Sequence, residues 1–193
     1  MTNFFTQRYS KQGLWSLFLM CAFPLHFWTL ILVFRDIQWM TERTNFWDAL
    51  GVASYAMVFA FLESLLLFLI LTLLGFLVPS KRTRETRIAL LTVLFLILSI
   101  WAMLSQLYFL AEVQTPGWFI FLMARTGHPV RILYVLALIL VTPTLALPAW
   151  FALRSEKFLT SVNGLIERLS LLSGLYLFFD VVGLIIVIIR NLA

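Results

Sequence analysis

Five long apolar runs constrain this chain more than anything else in it. They cover residues 14–34, 49–78, 88–113, 132–153 and 165–189. Each supplies at least the ~20 residues that an α-helix needs to cross the hydrocarbon core of a bilayer. A soluble domain of 193 residues exposes too much surface to hide them all. The composition agrees, with 62% of residues hydrophobic and 12% charged. An ordinary soluble domain is nearer ~45–50% and ~25%. A bilayer removes the conflict, because lipid is itself an apolar solvent. The runs lack the two-residue alternation of a membrane strand, which excludes a β-barrel. The reading is all-α: a polytopic integral membrane helical bundle of about five transmembrane helices, in a single membrane domain spanning 1–193.

The polar stretches between the runs set the edges. Residues 1–13 are polar and carry Arg8 and Lys11. A basic start before an apolar run resembles a secretion signal. The first run is longer than a usual signal core, however, and no small-residue cleavage pattern follows it. It reads as a retained first helix. Residues 35–48 form a polar, Trp-containing loop. The second run is 30 residues long. It must tilt or project beyond the membrane, with Pro79 as its stop. Residues 80–87 form a strongly basic loop. The third run is interrupted late by Gln106 and Glu112. Residues 116–125 are too few to cross and read as an interfacial or re-entrant segment. Pro143 and Pro148 should kink the fourth span and free backbone carbonyls. A polar loop with Arg154, Glu156 and Lys157 precedes the fifth.

The charge places these segments. The chain has 14 Lys plus Arg against 9 Asp plus Glu, a net +5. The positives sit in loops beside spans, which points to orientation and anionic headgroups. No basic stripe with stacking aromatics exists, so nucleic acid is rejected as a partner. With the N-terminus cytoplasmic, the basic loops fall mostly inside and the C-terminus lies outside. Trp15, Trp39, Trp47, Trp118 and Trp150 fall near the proposed interfaces, where an amphipathic ring is most stable. The lone cysteine, Cys21, lies within the first run and reads as a small buried apolar residue. The absence of an Asn-x-Ser/Thr sequon fits a bacterial plasma membrane.

Ionisable groups at mid-membrane cost about 2.5–3.5 kcal/mol each on insertion scales, so each needs a reason. Three qualify: His26, Glu63 and Asp180. His26 shares a helix face with Ala22 and Thr29. Glu63 follows Ala60 by three residues and Ala56 by seven. Asp180 shares a face with Ser173, Tyr176 and Gly183. Small and polar neighbours mark helix–helix contacts in membranes. All three groups are therefore expected to face the bundle and to meet in one layer if spans one, two and five are neighbours. Together they would make a proton or cation site. The plainer interpretation is that each staples one helix to another. The third span also carries Thr92, Ser99 and Gln106 at intervals of seven, a polar helix-contact stripe.

No nucleotide-binding, metalloprotease or serine-hydrolase motif is present. Two histidines cannot hold two bis-histidine haems, and no span has a deep lysine for a retinal Schiff base. No cofactor or metal is expected. A site of one His and two carboxylates is conceivable only if the trio converges. The favoured function is non-enzymatic: a subunit or interaction partner in a membrane assembly, in contact with the bilayer and with other membrane subunits or its own copies. The alternative is a proton- or cation-coupled transporter or channel using the His26, Glu63 and Asp180 cluster. A lipid-modifying enzyme fits less well, because headgroup chemistry belongs at the interface.

Overall fold

The computed structural model describes residues 8–192 of the chain. Six helices account for most of them. They are α1 (Lys11–Arg43), α2 (Phe46–Leu74), α3 (Arg84–Leu110), α4 (Gly117–Arg125), α5 (Pro129–Arg154) and α6 (Glu156–Leu192). All but α4 are long and apolar enough to cross a membrane. α4 has 9 residues, about 13 Å of helix, and cannot span. The fold is thus a five-helix membrane bundle with one short extra segment.

Helix ends differ from apolar-run ends for identifiable reasons. α1 continues through 35–43, which was expected to be loop. That stretch has no Gly or Pro, so nothing local stops the backbone bonding. The turn is confined to Thr44 and Asn45. Thr44 is extended, and the Asn45 side chain caps α2 by accepting from the Asp48 amide. α2 stops at Leu74, short of Pro79, with Gly75 as its C-cap. A Cβ at Gly75 would run into the Tyr9 hydroxyl, so only glycine fits there. α3 begins inside the basic 80–87 stretch, where Thr83 caps it. It ends at Leu110, and Glu112 turns left-handed at φ 49°, outside any α-helix. α6 starts at Glu156, nine residues before its apolar run. Ser155 both terminates α5 and accepts from the Phe158 amide, so the turn is about one residue long.

The first helix is central. α1 packs against α2, α3 and α6, and α2 also packs against α6. α5 leans mainly on α3, and α4 touches α5. None of the most apolar stretch of α5 is buried within the chain. The core lies around the first half of α1, where Leu17, Met20 and Cys21 meet Leu71, Ala89 and Ile166.

One end of the bundle is basic. Arg87 on α3 is 1% exposed. Its Nη1 donates to the Arg8 carbonyl at 2.6 Å and its Nη2 to the Pro79 carbonyl at 3.3 Å. Its guanidinium also lies 5.8 Å from the centre of the Tyr9 ring. Tyr9 donates to the Thr72 carbonyl at 2.7 Å. Burial raises the Tyr9 hydroxyl above its usual pKa, so it remains a donor at neutral pH. The opposite end is closed by Arg190, which donates to the Asp48 carboxylate at 2.8 Å and to the Trp47 carbonyl. Gly51 leaves room for that guanidinium.

Candidate functional site

α1 and α6 run parallel with a constant register. Ser173 on α6 donates to the Leu19 carbonyl on α1 at 2.8 Å, and seven residues on in both helices His26 faces Asp180. The local sequence of α1 assists. Pro24 sits inside the helix and has no N–H to give the Met20 carbonyl, so this turn is loosened where α6 approaches. Across α6, Gly183 lies against the Ser54 backbone of α2, where an added Cβ would be 3.3 Å from the Ser54 carbonyl oxygen. Small residues thus let three helices converge around one pair.

His26 is fully buried and Asp180 nearly so. His26 Nε2 lies 3.0 Å from both carboxyl oxygens of Asp180. Its Nδ1 lies 2.7 Å from the Ala22 carbonyl oxygen. A carbonyl only accepts, so Nδ1 carries a proton and donates it. The bond to Asp180 then requires one further proton between Nε2 and the carboxyl. Imidazolium with carboxylate satisfies it, as does neutral imidazole with carboxylic acid. Either way the pair is net neutral, which is what an apolar interior tolerates. The Tyr176 ring stacks on the imidazole, with centroids 5.7 Å apart and planes within 7°. Of the face-mates expected from the sequence, Ala22, Ser173, Tyr176 and Gly183 take part in this layer.

Glu63 does not join them. The expectation that it faces the bundle is corrected: it is exposed on the outer side of α2. The inward residues of α2 are Met57, Ala60, Ser64 and Leu71. At ~100° per residue Glu63 points well away from that stripe. Ala56 made the outer flank look like a contact face. The level is also wrong, since the Gly183–Ser54 contact puts Asp180 opposite about residue 57, some 9 Å along the axis from Glu63. The conceivable site of one His and two carboxylates is therefore not assembled. Among the described residues, no group of three or more His, Cys, Asp and Glu is placed to hold a metal.

The stripe on α3 is only partly a contact. Gln106 accepts from the Trp28 indole of α1. Thr92 is fully buried with its hydroxyl unpartnered, and Ser99 is half-buried. The α3–α5 contact is instead made by Trp101, whose indole donates to Thr144 at 2.9 Å. Residue types alone did not reveal the buried Arg87, because it belongs to a run of exposed basic residues. His128 sits at the start of α5, exposed.

A groove of about 800 Å³ runs beside the pair, between α1, α2 and α6. Its lining is almost wholly apolar, with Asp180 within it and Lys11 at its basic end. No family model matches the chain, and no curated protein or solved structure matches it significantly.

Proposed function

We propose that this protein works without catalysis, as a subunit of a larger membrane assembly. The observation that carries this reading is Glu63. The chain has two acids deep in its spans and treats them differently. Asp180 is buried and neutralised by His26. Glu63 is turned outward in mid-helix, with no hydrogen bond or ion pair to any described residue. An acid that faces hydrocarbon alone is costly, whereas one that meets a donor on another helix is not. The sparse packing of α5 supports the same reading, since a helix with one main neighbour leaves most of its surface for others.

The test is extraction in a mild detergent, followed by mass measurement of the intact particle. More than one polypeptide per particle is expected. Glu63→Leu is expected to dissociate it, and Glu63→Gln, which still hydrogen-bonds, to keep much of it. A particle holding one chain and nothing else, unaffected by Glu63→Leu, would contradict the proposal.

Proton or cation coupling has less support. The His26–Asp180 bridge holds a proton, but a relay needs a hydrated path, and the adjoining groove is apolar. Proton flux into liposomes that is abolished by Asp180→Asn would favour that reading instead.

A further inference from the structure

The groove between α1, α2 and α6 has a chemistry of its own, independent of the subunit reading. Lys11 stands at its basic end, and Trp15 follows one turn deeper. Beyond them the walls are aliphatic and aromatic, including Phe18, Leu62 and Val181. Asp180 lies at the depth of His26, fifteen residues along α1 from Lys11. At about 1.5 Å per residue that is some 22 Å, more than half of a ~30 Å hydrocarbon core. Trp15, Leu62 and Val181 are each more than half exposed, so the rim is open toward lipid.

We propose that this groove binds one lipid with an anionic headgroup, the headgroup at Lys11 and an acyl chain along the groove toward Asp180. Three features select this occupant. The volume, about 800 Å³, lies in the ~300–1,000 Å³ range of ligand sites. The ammonium sits where a headgroup lies, with an indole just beneath it at the interfacial level. The lining contains no Gly, Ala or Ser. Helices that pack in membranes use such small residues to bring backbones close, so this surface suits a flexible chain better than a second helix. His26 has a part as well. By neutralising Asp180 it keeps a charge from facing the inner end of the groove.

Reconstitution of the full chain tests this. Vesicles of phosphatidylcholine would carry equal mole fractions of either brominated phosphatidylglycerol or brominated phosphatidylcholine, since bromine quenches nearby tryptophan. The Trp15 signal is the difference between wild type and Trp15→Phe. Phosphatidylglycerol is expected to occupy the site about five-fold more readily, the effect of one favourable basic contact. Lys11→Gln should remove most of that preference. The double variant Leu62→Phe, Val181→Phe narrows the groove, keeps every charge and should reduce quenching by both lipids. Both positions and Lys11 are exposed, so the core is left intact. Equal quenching by the two lipids in wild type would overturn the proposal. So would undiminished quenching by both lipids in the narrowed groove, which would mean general attraction to the basic end. No quenching by either lipid would also overturn it, because protein would then fill the groove.

Discussion

At the residue scale, the structure turns on how a membrane interior treats single ionisable groups. His26 and Asp180 solve the problem together. Removing one partner leaves the other buried without its bond, so Asp180→Ala or His26→Ala is expected to destabilise the bundle by about 3–5 kcal/mol. Replacing both with leucine should cost far less than either single change, because well-packed apolar residues often match a buried pair. Reversible unfolding in mixed micelles, read as a double-mutant cycle closed by the double alanine variant, measures the coupling. Additive effects of the two single changes would show that the bond contributes nothing. This pairing was partly legible in the sequence. Small and polar face-mates, Ala22 and Thr29 for His26 and Ser173, Tyr176 and Gly183 for Asp180, pointed inward, and both side chains are inward. The same reasoning misplaced Glu63, because an alanine beside an acid looks alike on a contact face and on its outer flank. Only the position of the neighbouring helices separates the two cases. Arg87 was illegible for the opposite reason. Carbonyls of distant segments, at Arg8 and Pro79, make its burial possible.

At the scale of elements, apolar runs marked where helices cross the membrane, and caps marked where helices end. The two coincide poorly in α1 and α6, whose polar extensions continue until Thr44 and back to Ser155. The capping side chains of Asn45, Thr83 and Ser155 were visible in the sequence as residue types, but loop composition outweighed them in setting the expected boundaries. The short α4 was legible from length alone. The α2–α6 contact depends on Gly183 against the Ser54 backbone. Gly183→Leu is expected to push the helices apart and to destabilise by at least about 1–3 kcal/mol, the cost of overpacking. Gly174, with nothing near it, serves as the control, and Gly174→Leu should be far milder. The same unfolding measurement distinguishes them. Equal effects at both positions would mean that helix propensity, and not close approach, governs Gly183.

At the scale of the whole molecule, the bundle is uneven. Three helices converge on the His26–Asp180 layer, while α5 and the outer face of α2 are left with little cover from the chain itself. The proposed assembly accounts for both and makes Glu63 the marker of a protein-covered face. Leu66 lies on that face, one turn from Glu63, and is 59% exposed in the single chain. A nitroxide there, introduced by Leu66→Cys with Cys21→Ala, leaves the acid in place. Its accessibility to dissolved oxygen in native membranes is the most direct measurement. The account predicts a label shielded from oxygen in the membrane and exposed once the protein is dispersed as single chains in detergent. Equal, lipid-like accessibility in both would contradict it.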